Sequence, residues 1–134
     1  MIGILVLTHE DLGEHLIRCA SHVVGMKPPQ LMALGVFVQD DPDALLVKAR
    51  DMIRQLDSGD GVLVLSDMFG ATPCNIACRL AQPGKIECLA GANLPMLVRV
   101  LTYRNEPLSV VVEKGMSGGQ HGVMQINAGS SHAN

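Results

Sequence analysis

Four short aliphatic runs, at residues 2–7, 31–38, 62–65 and 86–90, punctuate the first two thirds of this chain. Each is bounded by turn-forming residues, and each is too continuously apolar to alternate between a core face and a wet face. Such runs read as strands buried on both sides. Between them lie segments with helical periodicity. In residues 11–25, Leu12, Leu16, Ala20, Val23 and Val24 make an apolar face, and Asp11, His15, Arg18 and His22 a polar one. The next helix starts with Asp41 as N-cap and Pro42 in its first turn, and it stops at Asp57-Ser58-Gly59-Asp60-Gly61. A third helix is predicted from Thr72-Pro73 to about Gln82, and a fourth from Asn93. Residues 107–116 carry a fifth, weaker helical pattern ended by Gly118-Gly119, and 123–126 read as a short edge strand.

Strands alternating with helices predict an α/β fold. Right-handed crossovers favour a doubly wound, mainly parallel, five-stranded sheet of order 2-1-3-4-5, with 123–126 as the edge strand. The chain has 134 residues and neither repeat nor linker, so 1–126 read as one domain and 127–134 as a flexible polar tail. Two Phe, one Tyr and no Trp leave the core to Leu, Val, Ile, Ala and Met, with no platform for stacking bases. The net charge of −3 supplies no basic footprint, so nucleic acid is not an expected partner. No apolar run reaches the length of a membrane span, and no signal peptide opens the chain. The four cysteines lack a framework spacing, which reads as free thiols in a cytoplasmic protein. Cys74 and Cys78 share a helix face without a Cys-x2-Cys pair, and no metal or other cofactor is expected.

In such a sheet, chemistry gathers beyond the carboxyl ends of the strands, where strand order reverses. His9 follows the first apolar run and Asp67 follows the third, so adjacent strands bring both to one crevice. A carboxylate bonded to one ring nitrogen fixes the tautomer and leaves the other nitrogen as a nucleophile. Gly70, Ala71 and Thr72 open the third helix, whose free N–H groups and positive dipole end suit a phosphate. Thr8 adds a hydroxyl beside the histidine. Each residue also has a plainer reading: His9 as a helix cap, Asp67 as a turn residue, Thr72-Pro73 as ordinary helix-start grammar. Their convergence on one rim favours a phosphoryl site. His15 and His22 read as solvated residues of a polar helix face. No Walker loop and no G-x-S-x-G elbow is present.

Three segments carry a family resemblance: ILVLTHEDLGEHL (4–16), GVLVLSDMFGATPCNIA (61–77) and LAGANLPMLVRVL (89–101). The chain resembles the IIA domain of the mannose class of the bacterial phosphoenolpyruvate-dependent sugar phosphotransferase system. The resemblance implies that His9 accepts a phosphoryl group from the phosphohistidine of the carrier protein HPr and passes it to a IIB component. Asp67 would orient the ring, and Thr8 with Gly70, Ala71 and Thr72 would surround the phosphate. Asn93, Pro95 and Met96 would form a rim for partner docking. The family also implies a cytoplasmic homodimer that exchanges residues 123–126 between subunits. The Thr-His-Glu form resembles free-standing versions as well, in which the phosphorylation state is read by a partner without sugar transport. The phosphotransfer subunit of dihydroxyacetone kinases is a weaker match, because DMFGATPCN fits it less well. Glu10 and Asp11 replace the glycine often found after the histidine. They suit a first helical turn but repel a phosphate unless they point away.

Overall fold

The computed structural model describes residues 1–130. Its elements run β1 (Gly3–His9), α1 (Leu12–Val24), β2 (Leu31–Val36), α2 (Pro42–Leu56), β3 (Val62–Ser66), α3 (Thr72–Leu80), β4 (Ile86–Ala90), α4 (Leu94–Tyr103) and α5 (Leu108–His121), followed by a 3-10 turn at Ala128–Ser130. The strands pair in parallel in the order β2-β1-β3-β4. Because consecutive strand residues face opposite sides, the apolar runs divide between two cores. Leu5, Leu7, Val62 and Val64 pack under α2 and α3. Ile4, Val6, Leu63 and Leu65 pack under α1, α4 and α5. That two-sided burial is why these strands show no polar alternation.

The helix starts follow local chemistry. Asp41 accepts a hydrogen bond from the Asp43 N–H at 3.2 Å, with Pro42 in the first turn. Asn93 accepts from the Met96 N–H at 2.9 Å. Gly25, at φ 82°, closes α1 in the left-handed conformation that glycine adopts without a steric cost.

Three expectations need correction. The sheet has four strands among the described residues, not five, and residues 123–126 do not form a strand. Val123, Met124 and Ile126 are 79%, 69% and 75% exposed, so within one chain the segment lies against no partner strand. Phe37 and Val38 are not part of β2; the strand ends at Val36 and Val38 is 99% exposed. The last helix does not stop at Gly118-Gly119 but runs to His121. Its glycines allow close packing on α4. A Cβ on Gly118 would come within 2.7 Å of Arg99 Cβ, and one on Gly119 within 2.8 Å of Met96 Cε. Tertiary packing overrides the poor helix propensity of glycine here. Residues 131–134 of the expected tail lie outside the described residues.

Candidate functional site

The β1–β3 register pairs Leu7 with Ser66, so His9 and Asp67 both emerge at the carboxyl rim of the sheet. The carboxylate of Asp67 meets the histidine through a single oxygen. Oδ2 lies 2.8 Å from His9 Nδ1 and accepts the His9 backbone N–H at 3.1 Å. With Asp67 ionised, Nδ1 carries the proton in that contact and Nε2 keeps its lone pair. The histidine side chain is 49% exposed while that of Asp67 is 10% exposed. A sheltered carboxylate thus holds a half-exposed ring by its Nδ1 edge, an arrangement that can orient a nucleophilic nitrogen.

The turn after His9 is unusual. Glu10 sits at φ 45°, a left-handed conformation for a non-glycine residue. Its N–H donates to Val36 O at 2.9 Å, which ties the turn to the end of β2. Gly35 makes room for this crossing, because a Cβ there would lie 2.0 Å from Glu10 O. The two carboxylates that follow His9 take different paths. Asp11 Oδ2 turns along α1 to His15 Nε2 at 3.2 Å. Glu10 lines a cavity of about 270 Å³ together with His9, Val36, Phe37, Asp40 and Thr72. Asp40 is engaged there, accepting the Phe37 N–H at 2.8 Å.

Several expected phosphate neighbours have other tasks. Thr8 is fully buried, and its hydroxyl accepts the Gly13 N–H at 2.8 Å and donates to His9 O at 3.1 Å. It anchors the first turn of α1 and does not face the crevice. Thr72 is not the N-cap of α3; Ala71 occupies that position, and Thr72 begins the helix with its side chain exposed. Gly70, at φ 85°, and Ala71 form the approach to the helix. The N–H groups of Thr72 and Cys74 fall in the first turn, where no intrahelical acceptor is available. Of the expected docking rim, Pro95 is exposed, whereas Met96 is only 3% exposed and belongs to the core under α4. Asn93 both caps α4 and donates from Nδ2 to Gly119 O at 3.1 Å, so it clasps α4 to α5.

Exposed apolar residues on the loops after β2 and β3 went unnoticed in the sequence, and Phe37 and Val38 share a cavity with His9. Both phenylalanines of the chain are exposed on loops at this rim, Phe37 at 42% and Phe69 at 83%, beside Val38 and Met68. The clue was available, since an aromatic residue stranded in a loop between strand and helix has no core to enter. Elsewhere, the thiols are free. Burial, with neighbouring thiols and Glu87 as lesser causes, pushes the Cys88 thiol up to about 12. No cluster of three metal-ligating side chains occurs among the described residues, nor is any helix there long and apolar enough to cross a membrane.

A family model described as the PTS system fructose IIA component matches residues 3–113. The chain is 29% identical over 130 residues to the PTS system mannose-specific EIIAB component of Escherichia coli K12, spanning 95% of this chain and 40% of that protein. It is 30% identical over 105 residues to the PTS system fructose-specific EIIA component of Bacillus subtilis 168, which covers 78% of this chain and 71% of that one. Its fold is similar to the crystal structure of phosphotransferase system component EIIA from Streptococcus agalactiae, with a TM-score of 0.83 at 22% identity, over 93% of this chain and 97% of the other.

Proposed function

Because the chain belongs to the PTS system fructose IIA component family, we propose that it is a phosphoryl carrier of a mannose- or fructose-type sugar phosphotransferase system and that His9 Nε2 carries the group. The observation that carries this reading is the 2.8 Å contact between His9 Nδ1 and Asp67 Oδ2. It fixes the tautomer and leaves the Nε2 lone pair free. In the transfer, a P–N bond forms at His9 Nε2 as the P–N bond to the donor imidazole breaks, with the two nitrogens in line. Asp67 stabilises the positive charge that develops on the His9 ring when Nε2 is bonded to phosphorus. The first-turn N–H groups of α3 offer donors to the transferring oxygens. No acid or base has to protonate a leaving group, so positioning and charge stabilisation supply the catalysis.

The donor in this reading is the phosphohistidine of HPr and the acceptor is a IIB component. The exposed Phe37, Val38, Met68 and Phe69 give such proteins an apolar surface to cover near the reacting nitrogen. Docking also expels water from the bond-forming space. Glu10 borders that space, and its exposed side chain can swing from an incoming phosphoryl group. The protein is proposed to act in the cytoplasm as a homodimer.

The test is incubation with phosphoenolpyruvate, enzyme I and HPr, followed by intact mass and an acid-lability assay. The expected result is one acid-labile phosphoryl group per chain, absent in His9→Ala. Absence of incorporation in the unmodified sequence, or equal incorporation in His9→Ala, overturns the assignment.

A further inference from the structure

A second cavity, of about 290 Å³, lies at the opposite end of the strands from His9 and is lined mainly by apolar residues, among them Val24, Met26, Pro28 and Leu101. Arg104, at the end of α4, also lines it and is only 4% exposed. Its guanidinium is held by carbonyls alone. Nε and Nη2 donate to Ile2 O at 3.1 and 2.8 Å, Nη2 also to Gln30 O at 2.7 Å, and Nη1 to Pro29 O at 2.6 Å. A guanidinium has five N–H donors. The remaining one, on Nη1, has no acceptor among the described residues. No carboxylate of those residues lies within ion-pair distance of Arg104 either.

Carbonyl dipoles and the negative end of α4 solvate this charge but do not neutralise it. Buried arginine is ordinarily paired, because an uncompensated charge in a low-dielectric setting is costly. Desolvation accordingly pushes the guanidinium below its ordinary range. Pro29, whose carbonyl takes the other Nη1 proton, lines the same cavity, so the under-used end of the fork lies at its wall. Met1 also lines the cavity, but its ammonium is paired with Asp60, so Arg104 is the cation without a carboxylate partner in a concave, mainly apolar surface, the build of a site for an amphipathic anion. We propose that this cavity binds a small aliphatic carboxylate, its anion on Arg104 Nη1 and its hydrocarbon against Val24, Met26, Pro28 and Leu101. This site is separate from the His9 rim and needs no phosphoryl transfer. Its occupant would bridge the end of α1, the lead into β2 and the end of α4.

The experiment is an NMR titration of the unphosphorylated full chain with hexanoate, and with hexanol as the neutral match, following the Met26 and Leu101 methyls and the Arg104 Nε–H. Hexanoate is expected to shift these signals saturably and to bind about tenfold tighter than hexanol, as a charge-assisted hydrogen bond implies. Arg104→Gln also removes a structural clasp, so the decisive variant is Asn105→Asp, at an exposed position of the cavity wall next to Arg104. It changes charge with little change of shape and is expected to weaken hexanoate about tenfold while leaving hexanol within about twofold. Unmoved signals, equal affinity for hexanol, or unchanged hexanoate binding in Asn105→Asp overturns the proposal.

Discussion

Asp67 does two things with one oxygen. Oδ2 takes the His9 main-chain N–H and faces the ring nitrogen, while Oδ1 is buried without a partner, as is Ser66 Oγ behind it. A buried oxygen without a partner is costly unless the carboxylate has work at the ring. Asp67→Asn keeps the shape and removes the charge. Phosphoryl transfer through His9 should fall by about two to four orders of magnitude, as where a carboxylate fixes a reacting histidine. Stopped-flow transfer from phosphorylated carrier protein, beside a thermal melt showing the fold retained, checks it; an unchanged rate removes the orienting role. His9 and Asp67 were legible because each ends an apolar run, and the sheet order then makes them neighbours. Gly35 was not legible. Its need for a missing Cβ comes from Glu10 crossing the end of β2, a contact between distant segments. Gly35→Ala should destabilise the protein by about 1–3 kcal/mol through overpacking against main chain that has no rotamer to change. Urea unfolding measures this. Transfer should slow in the folded fraction as well, because the displaced peptide follows His9 directly.

At the scale of elements, the packing of α4 on α5 explains why pattern reading misplaced the end of the last helix. Propensity treats Gly118-Gly119 as a stop, and correctly so for an isolated helix. The structure instead uses these positions to bring two helix backbones together, and Gly122 continues the contact with a would-be Cβ 2.6 Å from the Pro95 ring. Asn93 joins the pair. The sequence marks it as a helix start, and that much was readable from Asn before Leu-Pro-Met. Its second bond, to Gly119 O, depends on a helix that begins fifteen residues later at Leu108. Asn93→Ala removes both the cap and the clasp, so about 2 kcal/mol of stability should be lost. The cap alone accounts for about half, which Asn93→Ser tests by retaining it. Equal losses in both variants, measured by denaturant midpoint at unchanged slope, would assign the whole effect to the clasp on Gly119 O. Because β4 leads into Asn93, loosening this joint should also disturb the rim near Pro95 before it reaches His9.

At the scale of the whole molecule, a parallel sheet with helices on both faces was legible from the strand–helix alternation, since only buried strands are apolar on both sides. The fifth strand expected at 123–126 is absent among the described residues, where no sheet edge receives that segment. Here β4 is the outer strand next to β3, and an edge strand presents unpaired N–H and C=O groups. The same chain carries an apolar segment at 123–126 that its own core leaves exposed. An open edge and an unburied strand-forming segment on each copy are complementary under a two-fold exchange. The chain should therefore be a dimer in solution, with an unfolding temperature that rises with concentration. Deleting residues 123–134 should yield a monomer that keeps the four-stranded sheet, because the described core residues all precede position 112. Light scattering gives the mass and circular dichroism the fold. A full-length monomer at all concentrations, or a deletion variant that remains dimeric, excludes this segment as the joint. If the deletion abolishes dimerisation while His9 still accepts its phosphoryl group, the reacting site is complete within one chain, as the His9–Asp67 contact within a single sheet implies.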